Sequence, residues 1–127
     1  MFEKNPILGE TVLQIQEVSS MPTKLEIGYK SVDVIKQAHS SGALGLANDI
    51  AGKIIVKTSD HHGIEISEIE QADSLVHEIF HIIWRQRDID PDEEIEERAV
   101  NQLAHGVIEL FRRNPQVLKY LEKACAS

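Results

Sequence analysis

A chain of 127 residues fits one domain and can bury a single core without staples. Its formal net charge of -8 repels phosphate backbones, and Arg112-Arg113 is the only adjacent basic pair, which argues against a nucleic-acid partner. The lone Cys125 excludes an internal disulfide and any cysteine-based zinc finger.

Residues 1–22 carry the weakest pattern: GETVLQIQEV, bracketed by Pro6 and Pro22, fits a short helix or a strand. This start lacks the long apolar segment of a signal peptide. No apolar run anywhere approaches the roughly 20 residues of a membrane span, so the expectation is no membrane partner and a reducing cytoplasm. From Lys24 to Lys36, Leu25, Ile27 and Tyr29 alternate with polar residues or glycine, and Val32 and Val34 resume the apolar side after a slip of one. That pattern predicts a strand with a bulge or turn near Lys30-Ser31. GALGLANDIAGKIIVKTS, residues 42–59, predicts two strands, LGLA and KIIVK, around the turn NDIAG.

Ser67, with Glu70 three residues on, has capping-box spacing and opens a helix. Ala72, Leu75, Val76, Ile79 and Ile83 then recur at helical spacing up to about Arg85 or Arg87. Asp90, Pro91 and Glu93 read as the N-cap, first turn and capping box of a second helix. Its stripe is Val100, Leu103, Ala104, Val107, Leu110 and Phe111, and Asn114-Pro115 stops it. A last helix, 116–124, places Val117, Leu118 and Leu121 on one side. Strands first and helices after make the class α+β.

The chemistry sits in SLVHEIFHIIW. His77 and His81 are four apart, so a helix projects both from one face, one turn apart. Both imidazoles can then reach one ion at about 2.0–2.1 Å. Glu78 lies beside that face, close enough to touch a metal-held water without ligating the metal. This is the HExxH arrangement of zinc peptidases. In that chemistry zinc brings the pKa of its water toward about 7, and the glutamate moves the proton to the leaving amine. The composition of this chain gives about 0.03 chance occurrences of the motif.

Catalytic zinc takes three protein ligands and keeps one open position. The metzincin extension would need Gly at 84 and His at 87, where this chain has Trp84 and Arg87, and both methionines precede the motif. The remaining common donor is a glutamate on the following helix, whose start EEIEERAVNQLA offers Glu93, Glu94, Glu96 and Glu97. Glu96 and Glu97 flank the inward stripe. Thermolysin-like sites follow the ligand glutamate with an acid or amide at i+4 and a small residue at i+7. Glu97 has Asn101 and Ala104 at those positions, and Glu96 has Val100 and Leu103. The expected set is therefore His77, His81 and Glu97 as ligands of Zn2+, with Glu96 the alternative third ligand. Glu78 is the expected catalytic base, and Asn101 the expected outer partner of a ligand histidine.

KLEIGYK, LVHEIFHIIW, and EERAVNQLAHG followed by FRRNP resemble a family of small phage and prophage proteins described as zinc-dependent metallopeptidases, or minimal zincins. The resemblance spans roughly residues 22 to 121. A more distant similarity is to small zinc endopeptidases that cleave repressors of mobile elements. It implies a single minimal zincin-like domain, with a small antiparallel or mixed sheet packed on the HExxH helix and the glutamate helix. It implies zinc at His77, His81 and the glutamate of EERAV, in a host cytoplasm.

Other residues have weaker expectations. His61 and His62 read as exposed loop residues more than extra ligands. His105, two turns past Glu97, has the choice between a satisfied helix histidine and an oxyanion donor. Tyr29 and Tyr120 read as packing residues, and Trp84 as core or cleft wall. Leu44–Asn48 or Lys53–Lys57 offers a sheet edge for β-augmentation by a peptide. Three functions stay open: hydrolysis of a peptide bond in a protein or peptide substrate, a catalytically silent zinc-binding module that captures a phage or host regulatory protein, and, weakest, a purely structural helical protein without metal.

Overall fold

The structure is a computed structural model that describes residues 20–38, 45–48 and 52–127. The expectation for GETVLQIQEV and most of the turn NDIAG lie outside these residues. Strands β1 (Lys24–Ile27), β2 (Lys30–Gln37), β3 (Gly45–Asn48) and β4 (Lys53–Lys57) precede helices α1 (Glu68–Gln86), α2 (Glu93–Arg113) and α3 (Pro115–Ala126). The class is α+β. The sheet order is β1-β2-β4-β3. It is mixed: β1 and β3 pair antiparallel with their neighbours, while β2 and β4 run parallel.

The segment expected as one interrupted strand is a hairpin. Its turn falls at Gly28-Tyr29, two residues earlier than the apolar slip indicated, with Ile27 opposite Lys30. Gly28 has φ +60°, a left-handed conformation that costs other residues about 1–2 kcal/mol. The Gln86 side chain also crowds the space where a Cβ would sit, held there as its Nε2 donates to Ile27 O at 2.8 Å. The turn chemistry of glycine therefore outranks the alternation of side chains. Tyr29, just after it, is 79 % exposed.

Alternation in β2 and β4 turns Val32, Val34, Ile54 and Val56 to one face, where they meet Ile27 and Ile82 in a buried cluster. Leu75, Ile79 and Ile83 of α1 pack around it. The sheet-facing stripe of α1 is thus the expected one, shifted to centre on Ile82. Ser67 caps the helix, its Oγ accepting from Glu70 N at 3.3 Å. β4 is interior, so Lys53–Lys57 cannot supply an edge; among the described residues β3 is an edge, and α1 packs against it.

α2 packs on α1, and α3 contacts α2. Their apolar stripes are narrower than expected. Val100 and Ala104 are fully buried, but Leu103, Leu110, Leu118 and Leu121 are exposed. Where a helix is covered on one line only, positions a third of a turn away stay in solvent. The expected N-cap also moves. Asp92, not Asp90, caps α2, its carboxylate accepting from Glu94 N and Ile95 N at 2.9 and 3.2 Å. Asp90 instead braces the linker, accepting from Asp92 N through Oδ1 and from Trp84 Nε1 through its carbonyl. Trp84 is therefore a linker clamp. That bond ties the end of α1 to the linker that leads into α2. No helix among the described residues is long and apolar enough to cross a membrane.

Candidate metal centre

α1 turns His77 and His81 toward α2, their ring centroids 4.8 Å apart and nearly perpendicular. α2 brings Glu97 against both. His77 Nε2 lies 3.0 Å from Glu97 Oε1, His81 Nε2 lies 3.3 Å from Glu97 Oε2, and the two Nε2 atoms are 3.1 Å apart. Ligand atoms on a tetrahedron with bonds of about 2.0–2.1 Å are separated by about 3.3–3.4 Å. Each Nε2 faces its own oxygen of Glu97 at close to that spacing, and with one ligand atom taken from each residue the three lie within 4.8 Å of one another. His77, His81 and Glu97 together form a group that could hold a metal ion.

Burial grades across the site. His81 is buried, His77 is half-buried, and Glu97 is exposed at the rim. Glu78, adjacent to His77, is buried. Glu96 is also buried, and its Oε2 accepts from His81 Nδ1 at 2.6 Å. One residue of helix rotates the side chain by about 100°, so Glu96 and Glu97 grip opposite edges of the same imidazole. Asn101, expected as the outer partner, makes no hydrogen bond to either histidine among the described residues. It is half-buried beside a surface hollow that Glu97 also lines. Sequence reasoning weighed Glu96 only as a ligand and missed it as the orienting carboxylate. The signal was its position: one residue from Glu97, it flanks the inward stripe on the sheltered side.

The Glu96 carboxylate settles the chemistry of His81. It accepts the hydrogen bond from Nδ1–H, which leaves the lone pair of the ring at Nε2. That lone pair faces Glu97 Oε2 and His77 Nε2. Acceptor opposite acceptor is repulsive unless a cation or a proton lies between them, and the donor set of two imidazoles and a carboxylate suits zinc. Arg85 Nε donates to the same Glu96 oxygen at 3.0 Å and balances its charge.

Burial holds the His77 imidazole below its ordinary 6.5; the neighbouring His81 adds to this, and Glu97 opposes it. The neutral ring, which is the ligating form, is therefore favoured in the folded chain. Between the lowered value and 6.5 the unfolded chain binds more protons at this residue. Its contribution to stability is complete above 6.5 and is lost as pH falls. Metal retention falls in the same direction, because protons compete for the ligand nitrogens. We expect bound zinc to be released between about pH 7 and pH 5, measured by titrating loaded protein against a chromophoric zinc indicator. Full retention at pH 4.5 would contradict imidazole ligation.

The remaining sequence candidates separate from this centre. His61 and His62 lie with ring centroids 3.8 Å apart, tilted 45° to one another, on an exposed turn. Asp60 closes that turn by accepting from His62 N and Ile64 N. His105 Nδ1 donates to Asp73 Oδ2 at 2.6 Å. Tyr120 is 70 % exposed, so neither tyrosine is a packing residue. The chain matches no protein-family model, no curated protein and no solved structure.

Proposed function

We propose that the chain is a zinc-dependent metallopeptidase of minimal zincin type, which hydrolyses a peptide bond in a protein or peptide substrate in the cytoplasm of a bacterial host. One observation carries the reading. Two helical imidazoles and a carboxylate from the next helix converge with ligand atoms within 4.8 Å of one another, and the residue after the first imidazole is a buried glutamate. When bound, zinc acidifies water and polarises a carbonyl. Glu78 takes the proton of the attacking water as its oxygen bonds to the carbonyl carbon. It then gives that proton to the amine as the C–N bond breaks. Glu96 keeps the His81 proton on Nδ1 throughout, so Nε2 never loses its lone pair to a proton. The β3 edge beside α1 fits an extended substrate added as a further strand.

A second reading keeps the metal and removes the reaction: a zinc module that captures a phage or host regulatory protein. The exposed Leu103, Leu110, Leu118 and Leu121 on α2 and α3 favour it, as apolar surface of that kind fits a partner.

The test of the first reading begins with the metal. Purified chain is expected to bind one zinc per molecule and to cleave an unstructured polypeptide such as casein or a random peptide pool. Excess chelator should abolish cleavage, and one equivalent of zinc should restore it. A chain that takes up no divalent ion at micromolar zinc has neither function.

A further inference from the structure

Glu96 serves the outer nitrogen of His81, whereas His77 has no equivalent from α2. His77 Nε2 faces Glu97 and His81, and among the described residues no hydrogen bond reaches its Nδ1. Once Nε2 gives its lone pair to an ion, the ring proton must sit on Nδ1, where a carboxylate or carbonyl normally receives it.

Asp73 stands one turn before His77. Residues 73, 77 and 81 are spaced i, i+4 and i+8, so all three share the α1 face that meets α2. The two oxygens of Asp73 are unlike. Oδ2 accepts from His105 Nδ1 at 2.6 Å. Oδ1 is shut off from solvent and, among the described residues, has no hydrogen-bond partner. A buried carboxylate oxygen left unpaired is costly and rare in a folded chain. The charge of Asp73 already acts on the His77 ring, favouring its protonated form. An acceptor without a donor thus lies one helical turn from a nitrogen that must become a donor when metal binds.

We propose that Asp73 is the positioning carboxylate of His77, its Oδ1 accepting the Nδ1 proton in the metal-loaded chain, and that His105 anchors Asp73 from α2. This rests on the metal reading above. Each ligand histidine then has its own outer carboxylate: His81 from the neighbouring helix, His77 from its own. His105 lies eight residues beyond Glu97, about 12 Å along the helix. Its bond to Asp73 is a second strap between α1 and α2. It resists rotation of α2 about its axis, which would carry Glu97 off the ion. His105 becomes a satisfied helix histidine with a positioning role, not an oxyanion donor.

The experiment is zinc affinity by competition with a chromophoric chelator, on the wild-type chain and on Asp73→Ala, Asp73→Asn and His105→Ala. Asp73→Ala should lower affinity about 10–100-fold; it removes the unpaired Oδ1 and the His105 strap together, so the metal-free unfolding midpoint is read beside the affinity to separate loss of positioning from loss of fold. Asp73→Asn keeps an acceptor oxygen and should recover part of the loss; it also keeps the test readable if alanine unfolds the chain. His105→Ala should cost several-fold. Long-range 1H–15N spectra of the zinc-loaded wild type should show His77 protonated at Nδ1 in slow exchange, and Asp73→Ala should make that proton exchange rapidly. Wild-type zinc affinity in both Asp73 variants would overturn the proposal and leave the peptidase reading standing, as would ligation of zinc through His77 Nδ1. A wild-type chain that binds no zinc overturns both.

Discussion

Replacing Glu97 with alanine is expected to strip the chain of zinc and leave its fold intact, while replacing Glu96 is expected to weaken both. The two residues are neighbours in sequence but not in environment: the Glu97 side chain is 62 % exposed and the Glu96 side chain 7 %. Glu97→Ala removes one of three donors. It should therefore cost more affinity than the roughly 10–100-fold that follows loss of an outer partner. The metal-free variant should unfold within about 0.5 kcal/mol of wild type, as substitutions at exposed positions usually do. Glu96→Ala acts from behind. It leaves the His81 Nδ1 proton buried without an acceptor, which costs about 1–3 kcal/mol in the metal-free chain. With its tautomer no longer fixed, His81 should bind zinc about 10–100-fold more weakly. Arg85 adds little to either loss, because its half-exposed guanidinium finds water instead. Zinc calorimetry paired with urea midpoints separates the cases. If Glu97→Ala keeps zinc and Glu96→Ala alone loses it, the ligand is Glu96 and the arrangement of the site is inverted.

The sequence made some of this legible and hid the rest for physical reasons. His77, Glu78 and His81 could be read because a helix converts spacing directly into direction, and Ser67 fixes where that helix begins. The periodicity of α2 narrowed the third donor to Glu96 and Glu97, since the inward line of Val100 and Ala104 says which way the first turn faces, and the choice of Glu97 rested on Asn101 and Ala104 at i+4 and i+7 as in thermolysin-like sites. Three things depend on contacts that periodicity does not encode. The exchange of Asp90 for Asp92 as N-cap follows from Trp84 claiming the Asp90 carbonyl, a bond between elements. The turn at Gly28 follows from a left-handed backbone and from Gln86 of a helix nearly 60 residues later. The role of Glu96 in place of Asn101 depends on how far α2 slides along α1. A slide of one turn, about 5.4 Å, would reassign every pairing in the site. Leu103 and Leu110 failed as core residues on the same account: their hydrophobicity was plain, but the number of helices available to cover them was not.

Glu78→Gln decides between an enzyme and a zinc clip, and its expected signature is a protein that keeps its metal and loses its chemistry. Glutamine has the shape of glutamate and can accept a hydrogen bond, but it cannot take a proton from water at neutral pH. The ligand set of His77, His81 and Glu97 is untouched, so zinc affinity should stay within a few-fold of wild type. Peptide cleavage should fall by about 10²–10⁴-fold, the typical contribution of a general base. The fall should appear in kcat more than in KM, because the proton transfer is made in the transition state and not in binding. Nor should the fold suffer, since the substitution removes a charge from a buried position. A capture module has no use for that charge: Glu78→Gln would hold zinc and retain its partner as the wild type does. Equal cleavage by the two proteins, each carrying stoichiometric zinc, would mean that the proton is moved by some other group, and the role given to Glu78 would fall while the metal centre stood.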